Sequence, residues 1–103
     1  MTWHAAAKVG DIREGEIVGI AVAAENIALY LIAGRVYATS NICTHAQALM
    51  SDGYLDRDCV ECPIHQALFH VPTGEVRSGP AMAPLKIYAT KIEGDLVLVE
   101  LPE

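Results

Sequence analysis

Two short segments of the sequence combine cysteine with histidine. Cys43 and His45 stand two positions apart, Cys62 and His65 stand three apart, and 16 residues separate His45 from Cys62. Thiolate and imidazole are ligands for zinc, copper and iron–sulfur iron, whereas magnesium and calcium prefer oxygen. Because two loops can approach a common centre, this spacing predicts a transition-metal site.

Three interpretations of the pattern compete. The four side chains could be ordinary loop or core residues, but two mirrored pairs in a chain with three cysteines and four histidines make coincidence a weak explanation. Two cysteines and two histidines also form a standard zinc site, although zinc fingers usually place both cysteines before both histidines. The third interpretation is a binuclear iron–sulfur centre in which the cysteines hold one iron and the histidines hold the other.

The elements that position these loops belong to a short, acidic chain. A length of 103 residues is typical of one domain, so we expect a single domain over residues 1–103. Seven Lys and Arg against 13 Asp and Glu give a net charge of −6. That charge repels phosphate backbones and anionic membranes, so we expect no nucleic-acid or membrane partner and favour a basic patch on another protein.

Neither a signal peptide nor a membrane span is predicted. The longest apolar run, Ile27 to Ala33, is far shorter than the ~20 residues that cross a bilayer. We therefore expect a cytoplasmic protein. An odd number of cysteines in a reducing compartment argues against a disulfide framework and favours metal binding.

Short segments rich in Val, Ile, Leu and Tyr predict an all-β fold. Strands are expected over residues 15–23, 27–33, 35–40, 85–92 and 95–101. The step Glu93-Gly94 predicts a hairpin turn between the last two strands. Within 85–92, the apolar Leu85, Ile87 and Ala89 alternate with other residues, so we expect these three to form its buried face.

Residues 41–84 have a different composition. Turn-forming groups at 51–53, 56–58 and 72–75 separate short apolar pieces. We interpret this region as an insert on a β-scaffold. Its last part, GPAMAP at 79–84, is expected to form a rigid loop that shields the metal centre from water and contributes to docking.

Several of these segments resemble one protein family. The loops CTH at 43–45 and CPIH at 62–65 closely resemble the two cluster-binding loops of Rieske proteins. SDGYL at 51–55, LFHVPTGEV at 68–76 and GPAMAPL at 79–85 resemble the corresponding pieces of small Rieske ferredoxins. These ferredoxins serve bacterial aromatic-ring-hydroxylating dioxygenases of the biphenyl and naphthalene type. The resemblance extends over nearly the whole chain.

The resemblance implies a fold, a cofactor and its ligands. The fold would be an antiparallel β-sandwich scaffold, the Rieske fold, with an inserted cluster-binding subdomain at about 41–84. The cofactor would be one Rieske-type [2Fe-2S] cluster ligated by Cys43, His45, Cys62 and His65.

A function also follows from the resemblance. The protein would be an electron carrier and not itself an enzyme. It would take one electron from an NAD(P)H-dependent flavin reductase and pass it to a terminal aromatic-ring-hydroxylating oxygenase. The small Rieske subunit of a nitrite-reductase-like enzyme is a second assignment with the same loops, and a zinc-stabilised interaction module is a third.

The chain departs from the Rieske proteins of respiratory chains. Those proteins carry an extra cysteine in each loop, where this chain has Ala48 and Ile64. They also place a serine and a tyrosine hydroxyl where this chain has Ala67 and Phe69. Hydroxyls that donate to sulfur stabilise the reduced cluster. Their absence predicts a reduction potential at the low end of the Rieske range of about −150 to +300 mV.

The remaining cysteine and histidines receive plainer interpretations. Cys59 precedes Cys62 in the sequence CVEC, but nothing after Cys62 predicts the helix on which a reactive thiol pair normally sits. We expect Cys59 to be a small apolar strand residue. His4 and His70 are expected to be surface or hydrogen-bonded histidines without a metal.

The electron's route is expected at the loop tips. Imidazoles project from such tips more readily than buried thiolates do, so His45 and His65 are expected to face solvent. Gln47, Gln66 and Pro84 are candidate contacts with redox partners, which generally form small, transient interfaces.

Overall fold

The chain folds into antiparallel β-sheets. The computed structural model describes residues 1–44, 47–64, 66–79 and 83–102. The strands are β1 Thr2–Lys8, β2 Ile17–Val22, β3 Glu25–Ile32, β4 Arg35–Ser40, β5 Tyr54–Asp56, β6 Cys59–Glu61, β7 Leu68–His70, β8 Val76–Ser78, β9 Ile87–Tyr88, β10 Thr90–Glu93 and β11 Leu96–Leu101. The helical segments within the described ranges are single 3₁₀ turns at Val9–Asp11 and Met50–Asp52. The all-β prediction is confirmed.

Two sheets form the scaffold. One has the strand order β1-β11-β10 and the other has the order β2-β3-β4-β9, with antiparallel pairing throughout. Apolar side chains from both sheets meet in one core, which includes Ile27 and Leu29 from β3 and Val97, Val99 and Leu101 from β11. The scaffold is therefore the expected antiparallel sandwich.

A third sheet, β5-β6-β7-β8, is built within the 41–84 region. Its strands alternate so that Val60 and Phe69 face inward, and both are fully buried. They pack in a second core with Cys43, Cys62 and other buried residues. Both cysteines of the predicted metal site thus belong to the core of this smaller sheet.

Strand β3 contributes to both cores. Ile27 and Leu29 point into the scaffold core, while Ala28 and Tyr30 point into the core that contains the cysteines. All four are fully buried. A strand covered on both faces needs a continuous apolar run instead of an alternating one, which explains the uninterrupted apolar sequence of this segment.

The strand predicted over 85–92 is wrong in two respects. The segment breaks at Ala89, because β9 pairs with β4 whereas β10 pairs with β11, so the chain changes sheets there. The predicted buried face is right at Leu85 but wrong at Ile87 and Ala89, since Ile87 is 45% exposed and Ala89 is also exposed, whereas Tyr88 is only 8% exposed. Tyr88 packs in the scaffold core, and Leu85 packs in the core of the cysteines. One alternation cannot hold across segments that serve different cores.

The other predicted strands are found, with bounds that shift by two residues or fewer at each end. The hairpin between β10 and β11 has Gly94 at φ 62°, as the turn requires. Strand β1 was not predicted. Its sequence is dominated by three alanines, which carry little strand signal, and its pairing with β11 is a long-range contact that spans nearly the whole chain.

The phenol ring of Tyr30 on β3 is fully buried in the core that contains the cysteines. The Tyr30 hydroxyl lies 2.8 Å from Thr39 Oγ1, and Thr39 Oγ1 lies 2.9 Å from the Ser40 carbonyl oxygen. Because the single threonine hydrogen is donated to the carbonyl, Tyr30 is the donor to Thr39. Burial raises the pKa of Tyr30 far above its usual value, and the bond to Thr39 only partly opposes this.

This burial predicts an alkaline weakness of the fold. The folded pKa of Tyr30 exceeds the unfolded pKa of about 10, so its contribution to stability is complete below that pH and is lost above it. Between pH 9 and 11, roughly spanning the unfolded pKa, the free energy of unfolding of the wild-type protein should fall more steeply than that of Tyr30→Phe. Anaerobic guanidinium unfolding measures both.

Tyr54→Phe is the matched control, because the Tyr54 side chain is 67% exposed. This variant should retain the wild-type slope against pH. Equal slopes for Tyr30→Phe and the wild-type protein would contradict the assignment of the alkaline loss to Tyr30.

Candidate metal centre

The first cysteine lies at the base of a short loop. An isolated bridge pairs Ile42 with Leu49, and the Cys43 backbone N–H donates to the Ala48 carbonyl at 2.9 Å. The bridge and this bond close the loop around residues 43–48. The Cys43 side chain is buried at its base.

The second cysteine lies in a loop that is closed in the same way. Cys62 follows β6, and its backbone N–H donates to the Ala67 carbonyl at 2.8 Å. In both loops the cysteine bonds to the residue five positions later, and in both the predicted histidine lies between the two. The Cys62 side chain is fully buried. The two loops are therefore closed by the same kind of backbone hydrogen bond, although the cysteine and histidine are two positions apart in the first loop and three apart in the second.

The two thiols meet. Burial, together with a hydrogen bond with the Cys43 thiol, raises the pKa of Cys62 to about 11, although the backbone N–H of Ile64 partly opposes this. All three cysteines lie in described parts of the chain, and each is a thiol, with no disulfide between them. Two buried thiols in contact become stable thiolates when a metal cation binds between or beside them.

The walls of this site are apolar. Ala67 and Phe69 are both fully buried in the same core as Cys43 and Cys62. Neither side chain can donate a hydrogen bond to sulfur.

A buried asparagine that the sequence analysis did not identify anchors the first loop. The Asn41 amide nitrogen donates to Asn26 Oδ1 and Ser51 Oγ, both at 3.1 Å, and its Oδ1 accepts the Ser51 backbone N–H at 2.8 Å. Asn26 belongs to β3, and Asn41 and Ser51 flank the loop. The side chain thus ties both ends of the first loop to the central strand. Its contacts are nonlocal, so nothing in its sequence surroundings distinguishes it from a turn residue.

His45 and His65, the other two predicted ligands, lie outside the described residues, as do residues 80–82 of the proline-containing segment. Within the described part of the chain there is no cluster of three or more His, Cys, Asp or Glu that could hold a metal. The structure therefore brings together the two cysteines, and the four-ligand set stays a prediction. Gln47, Gln66 and Pro84 are all exposed, as a contact surface requires.

His70 is a hydrogen-bonded histidine, as predicted. Its Nε2 lies 3.0 Å from Asp58 Oδ2, and its Nδ1 lies 2.8 Å from Thr73 Oγ1. The bond with His70 holds the pKa of Asp58 below its usual range. These contacts connect the β5–β6 turn with the β7–β8 turn.

Cys59 is a strand residue of β6, as predicted. It pairs with His70 across the sheet and faces away from the core side that its neighbour Val60 occupies. Burial and the nearby Asp58 carboxylate raise the pKa of the Cys59 thiol, so it is not an activated thiolate.

No helix in the described ranges has the length and apolar character that crossing a membrane would demand.

An all-β sandwich with two matched loops, whose cysteines touch in a small core of their own, defines a protein with a site suited to a soft transition metal. The model of the Rieske [2Fe-2S] domain matches residues 2–89. The chain belongs to the Rieske [2Fe-2S] domain family.

Several known proteins similar to this chain over nearly its full length are ferredoxins. It is 43% identical over 99 residues to the ferredoxin component of the naphthalene 1,2-dioxygenase system of Pseudomonas putida, covering 96% of this chain and 95% of that one. Its structure matches the Sphingomonas yanoikuyae B1 ferredoxin with a TM-score of 0.93 at 32% identity, covering 98% and 100% of the two chains.

A third similar structure is described as a complex of reduced oxygenase and oxidized ferredoxin in carbazole 1,9a-dioxygenase. The match has a TM-score of 0.88 at 34% identity and covers 94% of this chain and 100% of that chain. Because the relatives are matched over nearly their full lengths, the resemblance is to whole small proteins.

The cofactor of this family fits the described residues. A Rieske-type [2Fe-2S] cluster needs two cysteine thiolates on one iron. Cys43 and Cys62 are buried, in contact and not disulfide-bonded. The cofactor is thus one Rieske-type [2Fe-2S] cluster.

The structure separates the two cysteines of CVEC by role. Cys62→Ala should abolish the visible absorption of the cluster and lower bound iron and sulfide to near zero, because one iron loses half its protein ligands. Cys59→Ala should keep the wild-type spectrum and metal content, since this thiol faces away from the core. Both are measured on protein purified without oxygen. Loss of the cluster in Cys59→Ala, or its retention in Cys62→Ala, would contradict the assignment.

Proposed function

We propose that this protein is the ferredoxin of an aromatic-ring-hydroxylating dioxygenase system. Cys43, His45, Cys62 and His65 hold its [2Fe-2S] cluster. It takes single electrons from an NAD(P)H-dependent flavin reductase and passes them to a terminal oxygenase. The observation that carries this proposal is the contact between two buried cysteines at the bases of two matching loops, each followed by a histidine within three positions.

The protein's part in the reaction is to bind, tune and present its cofactor. When bound, the cluster accepts and releases one electron. Because Cys43 and Cys62 are buried, water is excluded from the part of the site where their sulfur atoms lie. Ala67 and Phe69 leave that side without hydroxyl donors, so the reduced form is stabilised less and the potential lies near the low end, about −150 mV. A low potential suits a carrier between a flavin and a mononuclear iron.

The surface around the two loops supports docking at this end of the molecule. Ile42 and Leu49, which close the first loop, and Ile64 in the second loop are large apolar side chains exposed to solvent. Gln47, Gln66 and Pro84 add exposed polar and rigid groups nearby in sequence. Apolar anchors with a polar surround are the composition of a protein interface.

The names of the similar proteins support a terminal oxygenase as the partner that accepts the electron. One is the ferredoxin component of a dioxygenase system, and another similar ferredoxin is seen together with an oxygenase. We propose that His45 and His65 face solvent and provide the electron's route. We also propose a cytoplasmic location and one domain over 1–103 with a cluster-binding subdomain at about 41–84.

Reconstitution tests the function. The purified protein is mixed with NADH and with the reductase and terminal oxygenase components of a naphthalene dioxygenase system. Dihydroxylated naphthalene should form at a rate that rises and then saturates with the concentration of this protein. Reduction of its cluster by the reductase without product formation would contradict the oxygenase as its acceptor. Absence of cluster reduction would contradict the flavin reductase as its electron donor.

The potential is tested by restoring one donor. Ala67→Ser places a hydroxyl beside the closing bond of the second loop and should raise the reduction potential, on the order of 60 mV for a tenfold gain in a one-electron equilibrium. Ala28→Ser is the matched control, because Ala28 is equally buried in the same core but lies on β3. A redox titration followed by visible circular dichroism gives both values. An unchanged or lower potential for Ala67→Ser would contradict this explanation of the low potential.

A further inference from the structure

A glycine on β2 lies very close to the two residues that flank the first cysteine loop. A Cβ built on Gly19 would lie 2.7 Å from Ser51 Oγ, 2.8 Å from Asn41 Nδ2 and 3.1 Å from Ser51 Cβ. Carbon atoms at their optimal separation are about 3.5–4.0 Å apart. The space that a side chain at position 19 would need is therefore already occupied by Asn41 and Ser51.

These two residues are held in place by each other and by the central strand. Asn41 is only 2% exposed, and its side-chain nitrogen donates to Ser51 Oγ as well as to Asn26 Oδ1 on β3. The Asn41 backbone N–H donates to the Asn26 carbonyl, and the Asn41 carbonyl accepts the Met50 backbone N–H, both at 2.8 Å. Asn41 therefore cannot move away from a new side chain without losing bonds to the loop, to β3 or to both.

The strand pairing of β2 explains why position 19 faces the loop. Gly19 pairs with Ala28 on β3, and residues directly opposite each other in an antiparallel pair have their side chains on the same face. Ala28 is fully buried in the core of the cysteines, and Ile17, two positions before Gly19, packs against that core. Position 19 thus belongs to the face of the sheet that supports the first cysteine loop.

We propose that Gly19 is a positioning residue: because it has no side chain, Asn41 and Ser51 can pack directly against β2 and hold the first cysteine loop at a fixed place on the sheet. The loop that supplies Cys43 is then attached to two adjacent strands, to β3 through the bonds of Asn41 and to β2 through this close packing. Gly19 does not have a positive φ, so the need for glycine arises from packing and not from backbone conformation. This inference rests on the proposed function, because it concerns a loop that supplies a cluster ligand.

A methyl group at position 19 should loosen the loop. To admit it, Ser51 or Asn41 must shift, and that shift breaks the bond between Asn41 Nδ2 and Ser51 Oγ. The loss of one net hydrogen bond changes an opening equilibrium by roughly twofold to tenfold. Gly19→Ala should therefore release iron to an excess of a chelator roughly twofold to tenfold faster than the wild-type protein.

Gly10→Ala is the matched control, because Gly10 also lacks a positive φ and a Cβ built on it has no atom within 4 Å. This variant should release iron at the wild-type rate, which is followed by loss of visible absorption in protein purified without oxygen. The visible circular dichroism of the cluster, which depends on the geometry of its ligands, should change in Gly19→Ala and not in Gly10→Ala. A wild-type release rate or a wild-type cluster spectrum for Gly19→Ala would overturn the proposal.

A double-mutant cycle tests whether the contact with Ser51 is responsible. Ser51→Gly removes both serine atoms that the new methyl group would meet, together with the bond from Asn41, and leaves space into which Asn41 can move. Adding Gly19→Ala to Ser51→Gly should then have little further effect on iron release or on folding. This comparison stays decisive if Gly19→Ala alone does not fold. Additive effects, or a double variant that fails to fold where Ser51→Gly folds, would overturn the proposal.

Hydrogen exchange separates failure of this inference from failure of the proposed function, because it does not depend on which metal is bound. The backbone N–H groups of Cys43 and Met50 bond to the carbonyls of Ala48 and Asn41 and so report on the closure of the loop. Both should exchange faster in Gly19→Ala than in the wild-type protein, and those of β10 and β11 should not. Unchanged exchange at Cys43 and Met50 would overturn the positioning role. Faster exchange in a protein that carries no [2Fe-2S] cluster would support that role and overturn the proposed function.

Discussion

The contact between the buried thiols of Cys43 and Cys62 is the constraint on which the rest of this structure depends. Burial and the hydrogen bond with Cys43 disfavour the charged form of the Cys62 sulfur, so this thiol stays protonated until a metal cation compensates the charge of its thiolate. The chain accommodates the pair by placing each cysteine at the base of a loop with the same closing hydrogen bond. The apolar side chains around them then keep water out.

Strand β3 connects this site with the scaffold. Its alternate residues, such as Ile27 and Tyr30, enter two different cores, so the surface that supports the cysteine loops is the reverse side of the strand that stabilises the sandwich. Asn41 adds polar bonds between this strand and both ends of the first loop. The loops are thereby mounted on a strand that is buried on both faces, which favours a fixed geometry over the adaptable one that a substrate-binding loop needs.

The sequence was sufficient to predict features set by local patterns. The apolar segments of β2, β3, β4 and β11 and the turn at Gly94 follow from residue type and spacing over a few positions. Features set by distant contacts were not predictable in this way. The alanine-rich β1 is a strand because β11 pairs with it, and the segment after Leu85 changes its buried face because it leaves one core for another. The bonds of Asn41 and the close approach of Gly19 to Ser51 likewise join residues that are far apart in the chain.

Electron paramagnetic resonance of the dithionite-reduced protein, with iron, zinc and acid-labile sulfide analysis of the same sample, tests the central claim most directly. The account predicts two irons and two sulfides per chain, roughly the stoichiometry of one binuclear cluster, and a reduced signal whose average g value lies below that of all-cysteine clusters. That shift requires histidine on one iron and so tests His45 and His65 together with the cysteines. A colourless protein with one zinc and no sulfide, purified anaerobically from iron-supplied cells, would contradict the account and make the same loops a structural site.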